Sequence, residues 1–207
     1  FGKKGKLSVS IYHKGPKAVV QGRVTSDFVQ FKLEPEILGE ARLGYEEVHH
    51  PERYQPHIGV DESGKGDFFG PLVIAGVYVD GDIARQLVEA GVTDSKRISS
   101  DARIRELADR VRGIRGARHE VVAIDPAKYN QLYQRIGNLN RLLAWGHARV
   151  IANLAAAVPD CPQALSDKFG DPRLIERSLD KLGVAIDIQQ RTRAESDPAV
   201  AAASLLA

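Results

Sequence analysis

Short strand-like apolar runs alternate with helix-like segments along most of this chain, from residue 56 onward. Aliphatic and β-branched residues dominate the strand-like runs, which lie at 58–60, 71–79, 120–124, 164–165 and 184–188. The segments between them carry apolar residues at helical spacing, and the longest covers residues 139–154. Strands interleaved with helices in this order build a layered α/β fold.

Capping residues indicate where several of the helices begin. Asp82 is the expected N-cap of a helix over residues 83–90. Ser99 or Ser100 is the expected cap of a second helix that runs to Arg112. Pro172 suits the first turn of a further helix.

Two adjacent carboxylates end the first strand-like run. Asp61 and Glu62 follow residues 58–60 and precede the turn Gly64-Lys65-Gly66. Neighbouring strand residues point to opposite faces, so the two side chains cannot approach one metal ion in the same way. One side chain and a backbone carbonyl could do so, and these oxygens suit Mg²⁺ or Mn²⁺. The glycines let a backbone approach a phosphate closely, with Lys65 as a point charge beside it.

The same stretch comes close to a nucleotide-binding P-loop. Gly59 to Gly66 reads G-x-x-x-x-G-K-G, but the position that should be Ser or Thr to hold Mg²⁺ is Gly66. Asp61 and Glu62 would also face a polyphosphate with like charge. The sequence therefore disfavours a nucleoside triphosphatase, which stays open as an alternative.

Three further polar groups lie where the fold would bring strand ends and helix starts together. The turn Asp94-Ser95-Lys96 suits a phosphate contact, although an ordinary capping turn explains it too. Asp167 ends an apolar run, and ligand sites in α/β sheets favour the carboxyl ends of strands. Glu195 lies just before an alanine-rich helix, where an acid can also serve simply as a cap.

The first 32 residues carry seven basic side chains and one acid, whereas residues 33–60 carry six acids and two basic side chains. Alternating apolar residues at 7–11, and apolar runs at 18–20 and 28–31, predict a small antiparallel meander. A basic meander is a candidate nucleic-acid surface, and a solvated sheet face is the alternative. The adjacent His49 and His50 lie in a proline-containing linker and are not expected to bind a metal ion.

Taken together, these motifs resemble those of type 2 ribonucleases H, and more closely those of the ribonuclease HIII branch. The residues that carry the resemblance span almost all of 56–207 and come in the family's order. They are Val60 to Pro71, Asp94-Ser95-Lys96, Asn138-Leu139-Asn140 with His147, Ser166-Asp167-Lys168-Phe169, and Ala194-Glu195-Ser196 leading to Ala201-Ala202-Ala203-Ser204. Lys65 and the continuation Asp67-Phe68-Phe69-Gly70-Pro71 favour HIII over HII.

The resemblance implies an endonuclease that hydrolyses the RNA strand of RNA–DNA hybrids with two Mg²⁺ or Mn²⁺ ions. It implies a mixed ribonuclease H-like sheet flanked by helices. It implies a catalytic and metal-binding set of four acids, namely Asp61, Glu62, Asp167 and Glu195. It also implies substrate contacts, to the 2′-hydroxyl or to phosphate, by Ser63, Gly64, Lys65, Gly66, Asp94, Ser95 and Lys96. The chemistry agrees, because two divalent ions can activate water and stabilise the leaving oxygen while offsetting the repulsion among four acids.

The choice between Glu195 and Asp197 for the fourth acid does not follow from their spacing. Asp197 precedes Pro198, which favours an N-cap role. Glu195 is then the residue expected to turn into the cleft.

The resemblance also divides the chain. Gly5-Lys6-Leu7, Val20-Gln21-Gly22 and Leu33 to Glu36 resemble the end of a TATA-box-binding-protein-like domain. We therefore expect a partial substrate-binding β meander of this type at 1–48, a linker at 49–55 and the catalytic domain at 56–207. The chain has no methionine and stops within an apolar alanine-rich run, so we expect a piece of a longer protein that lacks the end of its catalytic domain.

Composition adds expectations about the setting. A single cysteine, Cys161, allows no internal disulfide and fits a reducing cytoplasm. No apolar run approaches the ~20 residues needed to cross a membrane, and no secretory signal is visible. We expect a cytoplasmic monomer whose partner is the hybrid. The alternatives are an HII-like activity at single embedded ribonucleotides and a catalytically incomplete hybrid-binding fragment.

Overall fold

The computed structural model describes residues 6–12, 17–38, 50–67 and 69–207. The chain divides into two compact units, Phe1–Pro51 and Glu52–Ala207. Some residues used in the sequence analysis lie outside the described ranges, namely Lys3, Lys4, Gly5, Lys14, Gly15, Pro16, Glu40, Arg42, Glu46, Glu47, His49 and Phe68.

The first unit begins with an antiparallel pair of strands, β1 (Leu7–Tyr12) and β2 (Lys17–Gly22). The third strand predicted at 28–31 is wrong, because a helical turn α1 (Thr25–Phe28) and a π-helical segment (Val29–Leu38) follow β2. The Thr25 hydroxyl donates to the Gly22 carbonyl at 2.8 Å. Lys32 and Glu36 form an ion pair at 2.6 Å, four residues apart. This spacing stabilises a helical arrangement of residues whose apolar members also fit a strand pattern.

The second unit is built on a five-stranded sheet in the order β5-β4-β3-β6-β7. Its strands are β3 (His57–Ser63), β4 (Leu72–Val79), β5 (Arg118–Ile124), β6 (Gln163–Asp167) and β7 (Asp187–Arg191). The first three are antiparallel neighbours, whereas β6 runs parallel to β3 and β7 runs parallel to β6. The prediction of a mixed sheet flanked by helices is therefore confirmed.

Six α-helices of the second unit cover the two faces of this sheet. They are α2 (Gly81–Glu89), α3 (Asp101–Gly113), α4 (Pro126–Ile136), α5 (Leu139–Ala157), α6 (Arg173–Leu182) and α7 (Pro198–Leu206). One apolar core packs β3 and β4 against α5 and α6, with α4 at its margin. The other packs β4 against α2, α3 and α7. No helix among these, or elsewhere in the described residues, has the length and apolarity to span a bilayer.

Two expected boundaries are wrong for local reasons. The N-cap of α2 is Asp80 rather than Asp82, because the Asp80 side chain accepts the Ile83 N–H at 2.9 Å. The last strand covers Asp187–Arg191 rather than 184–188. Gly183 ends α6 in a left-handed conformation, and the Val184 N–H then bonds to the Leu179 carbonyl at 3.1 Å. Val184 therefore closes the helix instead of opening the strand.

Helix α7 lies directly on strand β3. A Cβ atom at Gly59 would overlap with the α7 backbone at Ala199 and Val200, so only glycine permits this close approach. Gly59 also lies inside β3, and the strand continues through Ser63. A P-loop requires a loop over these positions, so the P-loop alternative is wrong.

A buried ion pair joins the start of β3 to the start of α7. His57 Nδ1 faces the Gln55 carbonyl at 2.7 Å, and its Nε2 faces Asp197 Oδ1 at 2.9 Å. Because both partners are acceptors, both ring nitrogens donate and the imidazole is positively charged. Burial would lower the pKa of His57, but the hydrogen bond and charge of Asp197 and the Gln55 carbonyl raise it above 6.5. Asp197 also accepts the Ala199 and Val200 N–H groups, which confirms it as the N-cap.

We predict that His57→Asn destabilises the protein most at acidic to neutral pH. The stabilisation from charged His57 is fully present below the unfolded-state pKa of 6.5 and is lost as pH rises through the higher folded-state pKa. Breaking a buried ion pair lowers the free energy of unfolding by roughly 3 kcal/mol. Each kcal/mol corresponds to a drop of about 2–4 °C in Tm for a chain of this size. Thermal unfolding between pH 6 and pH 9 measures the difference from wild type. His119→Asn, at an exposed position of β5, is the matched control. A pH-independent deficit in His57→Asn would contradict the charged pair.

Candidate active site

Two aspartates lie side by side where the parallel pairing of β3 with β6 ends. Val60 pairs in register with Ser166, so the next residues, Asp61 within β3 and Asp167 at the end of β6, are neighbours. Asp61 is only 8% exposed. Its Oδ1 accepts the N–H of Glu62 at 2.9 Å. The structure therefore brings together two of the four predicted acids through strand pairing alone.

The pKa of the Asp61 carboxyl lies well above its ordinary value. Burial, together with the charges of Glu62 and Asp167, raises its pKa from 3.8 to about 7, against the Glu62 N–H hydrogen bond and the Lys96 charge. Asp167, Glu62 and Lys96 are thus close enough to act on it electrostatically. At this end of the sheet, the carboxylates Asp61, Glu62 and Asp167 are only partly offset by the Lys96 charge.

Glu62 points to the opposite face of the sheet from Asp61, as expected for neighbouring strand residues. Its Oε2 faces Nε2 of His147 on α5 at 3.1 Å, and its Oε1 lies 3.7 Å from Lys65 Nζ. Burial would raise the pKa of Glu62, but the hydrogen bond and charge of His147, with Lys65 and Lys96, hold it below the ordinary value. The surroundings therefore raise the pKa of Asp61 and lower the pKa of the adjacent Glu62.

His147 connects the two acidic strand ends. It is fully buried. Its Nδ1 lies 3.1 Å from the hydroxyl of Ser166, which in turn donates to the Asp167 carbonyl at 3.0 Å. The Phe169 ring packs on the imidazole at 4.8 Å between centroids. In the sequence, His147 stands out only as part of a family motif. The signal available was one polar residue within the apolar stripe of α5.

Glu195 lies in a 3₁₀ turn, Ala194–Ser196, that connects β7 to α7. The Ala194 N–H donates to Asp167 Oδ1 at 3.3 Å, which places Glu195 one residue from a direct contact with the other acids. Arg193 enters this turn with φ 61°, a left-handed conformation that is costly for a residue other than glycine. The turn is thus fixed on both sides, by Asp167 before it and by the Asp197 cap after it.

The glycine turn projects from the same end of the sheet. Gly64 has φ +76°, and a Cβ there would meet the Pro71 carbonyl, so this position requires glycine. Ser63, Lys65 and Gly66 are exposed, and a Cβ at Gly66 would meet nothing within 4 Å. A pocket of about 380 Å³ lies beside the turn, and α4 contributes Tyr129 and Asn130 to it.

The turn Asp94-Ser95-Lys96 is anchored to α7. Asp94 is buried, and its side chain accepts the Lys96 N–H at 3.1 Å. The Ser95 N–H donates to the Ser204 hydroxyl at 3.1 Å. Asp94 therefore shapes the turn, while Lys96 stays exposed and acts electrostatically on Asp61 and Glu62.

Comparison with known proteins gives this arrangement a family. The ribonuclease HII family profile matches residues 58–207. The chain belongs to this family. Ribonuclease HIII of Protochlamydia amoebophila (strain UWE25) is 45% identical over 205 residues, 99% of this chain and 65% of that protein. Ribonuclease HIII of Chlamydia muridarum (strain MoPn / Nigg) is 45% identical over 208 residues, all of this chain and 66% of that protein.

Solved structures agree with this assignment. Bst-RNase HIII, crystallised in complex with Mn²⁺, matches 99% of this chain and 68% of its own with a TM-score of 0.68 and 26% identity. The RNase HII of the PCNA:RNase HII complex from Archaeoglobus fulgidus matches 73% of this chain and 70% of its own, with a TM-score of 0.59 and 33% identity. The resemblance to the ribonuclease HIII branch is thereby confirmed. The chain spans about two thirds of the length of these HIII relatives.

The candidate acids of this chain fit a hard divalent cation by their chemistry. All the candidate donors are carboxylate or carbonyl oxygens, which Mg²⁺ and Mn²⁺ prefer. The pKa of Asp61 is raised chiefly by burial and further by neighbouring acids, and a cation bound beside it would favour its ionised form. Within the described ranges, no three His, Cys, Asp or Glu side chains already converge into a group that could hold a metal ion. Asp61, Glu62 and Asp167 are therefore neighbours, but their carboxylates do not point to one common position.

We predict that His147→Leu weakens divalent-ion binding to the candidate acids Asp61, Glu62 and Asp167 by about 10–100-fold, the usual effect of losing a residue that orients a ligand. Leucine keeps much of the volume but leaves Glu62 without its donor. His147→Gln, whose amide can donate, should restore part of the affinity. Calorimetric titration with Mn²⁺ measures the effect, and Phe169→Leu controls for lost packing on the same ring. Equal Mn²⁺ affinity in a folded His147→Leu variant would show that the histidine serves packing alone.

Proposed function

We propose that this protein is a ribonuclease HIII-type endonuclease that hydrolyses the RNA strand of RNA–DNA hybrids with Mg²⁺ or Mn²⁺. The observation that carries the proposal is the pair Asp61 and Asp167 next to the last register pair of parallel strands β3 and β6, with the Asp61 pKa raised to about 7 by burial and neighbouring acids. Such a group is poorly suited to a purely structural role. The HIII relatives and the Mn²⁺ complex of Bst-RNase HIII support the same activity.

Four acids form the proposed catalytic set, namely Asp61, Glu62, Asp167 and Glu195. When bound, divalent ions activate a water molecule and stabilise the leaving oxygen of the phosphodiester. His147 keeps Glu62 ionised and fixes its orientation at 3.1 Å. The Ala194 N–H fixes Asp167 at 3.3 Å. These contacts reduce the rearrangement that the acids need in order to bind together.

Recognition of RNA is proposed to come from the glycine turn. The 2′-hydroxyl distinguishes RNA from DNA at a given nucleotide. Ser63, Gly64, Lys65 and Gly66 present backbone groups and one cation at an open surface. Lys96, held by Asp94 and Ser95, supplies positive charge next to the acids and is proposed to contact a phosphate.

We further propose the division of labour along the chain. Residues 1–48 form part of a TATA-box-binding-protein-like substrate-binding domain, 49–55 a linker, and 56–207 the catalytic domain. The boundary between the two compact units, which falls between Pro51 and Glu52 in the sequence, supports this division. The protein is proposed to act in the cytoplasm as a monomer.

We predict that hybrid cleavage requires a divalent ion and both Asp61 and Glu195. Asp61→Asn and Glu195→Gln should each lower turnover by orders of magnitude, because each removes a proposed ion ligand. Hybrid binding in chelator should persist. Asp160→Asn, at an exposed position before β6, is the matched control. The assay follows cleavage of a labelled hybrid with a long RNA stretch, with Mg²⁺, Mn²⁺ or chelator.

The outcomes separate the alternatives. Binding without cleavage by wild type under all ion conditions would indicate a hybrid-binding fragment. Efficient incision at one ribonucleotide within a DNA duplex would favour HII-like specificity. Full turnover in Asp61→Asn would contradict the acidic site itself.

A further inference from the structure

A cationic groove of about 660 Å³ lies between the end of α4, the start of α5 and α6. Its floor is apolar and includes Trp145 and Leu174. Its rim carries the four cations Arg135, Arg141, Arg177 and Lys181, and no carboxylate of the described residues lines it. The groove thus combines an apolar base with concentrated positive charge.

The four rim cations are exposed, and among the described residues none of them forms an ion pair. Several arginines on other helices are paired, such as Arg103 with Glu106 at 2.7 Å and Arg112 with Asp109 at 3.0 Å. The guanidinium groups of the groove are therefore free to bind an external anion. Acids on α6 such as Asp180 do not line the groove.

Helix α4 connects this groove to the proposed site of RNA recognition. Its first half contributes Tyr129 and Asn130 to the pocket beside the glycine turn. Its last turn contributes Arg135 to the groove. The step of five positions from Asn130 to Arg135 corresponds to about 7.5 Å along a helix axis. That is roughly two base-pair steps of a duplex at 3.4 Å each.

We propose that this groove binds the phosphate backbone of the hybrid outside the cleavage point. Arginine is suited to bidentate phosphate contacts, and four cations on one rim match several successive phosphates better than one small anion. The proposal rests on the proposed function, because it assumes that a hybrid occupies the glycine turn. It assigns the groove the task of anchoring the flanking duplex, with no role in bond cleavage.

The test is the salt dependence of binding in the whole chain. Labelled hybrid is titrated with wild type and with the double variant Arg141→Glu/Arg177→Glu, in chelator, by fluorescence anisotropy. Each lost phosphate contact should lower the slope of log K against log salt by about 0.9. The variant should therefore lose about two units of slope and at least about tenfold in affinity near 0.1 M salt.

The matched control reverses the same charge elsewhere. Arg115→Glu/Arg118→Glu lies near the start of β5, where Arg118 pairs with Tyr78 at the end of the sheet remote from the acids. This control should bind as wild type does. Unchanged affinity and slope in the groove variant, with thermal stability retained, would overturn the proposal. The same result with lost binding to a polyglutamate peptide would assign the groove to an acidic protein segment.

The measurement separates the two proposals because binding in chelator does not depend on turnover. If wild type binds the hybrid with the expected slope but never cleaves it, the proposed function fails and the groove stands. If it cleaves and the groove variant binds equally well, the groove fails and the function stands.

Discussion

The parallel pairing of β3 with β6 is the constraint on which the site depends. The register pair Val60 and Ser166 makes Asp61 and Asp167 neighbours, and this depends on strand pairing and not on loop conformation. Burial is the largest cause that makes Asp61 costly to ionise, and the charges of Glu62 and Asp167 add to that cost. Lys96 lowers it only in part. We propose that a divalent ion at this end of the sheet supplies the missing positive charge.

The rest of the structure holds these acids in place from both faces of the sheet. On one face, His147 joins Glu62 to Ser166 and so to the backbone of Asp167. On the other, α7 packs on β3 at Gly59, and the His57–Asp197 ion pair fixes where α7 begins. Glu195 lies immediately before that start. The position of Glu195, the proposed fourth acid, is thus determined by a helix that packs on the strand carrying Asp61 and Glu62.

Local patterns in the sequence predicted what depends on local physics. Apolar runs located β3, β4, β5 and β6, and the acids that end two of them, because strand burial is written into consecutive residues. The order of the motifs along residues 56–207 indicated the ribonuclease HII family. The third strand of the meander and the placement of β7 were wrong, since helical hydrogen bonds and a glycine cap competed successfully with apolar patterning. The contacts of Glu62 with His147 and of His57 with Asp197 join residues 85 and 140 positions apart. No local pattern in one sequence encodes them.

The thermal stability of wild type and Asp61→Asn, in chelator and in Mg²⁺ at pH 8, tests the charge deficit most directly. Asparagine keeps the oxygen that accepts the Glu62 N–H but removes the charge. Because the folded-state pKa of Asp61 is raised to about 7 from 3.8, its ionisation destabilises the fold increasingly as pH rises through this interval. In chelator, Asp61→Asn should therefore unfold at a higher temperature than wild type, and the gap should narrow toward pH 5. Mg²⁺ should raise the Tm of wild type and leave the variant nearly unchanged. A variant that is less stable in chelator, or an equal gain from Mg²⁺ in both proteins, would contradict the account.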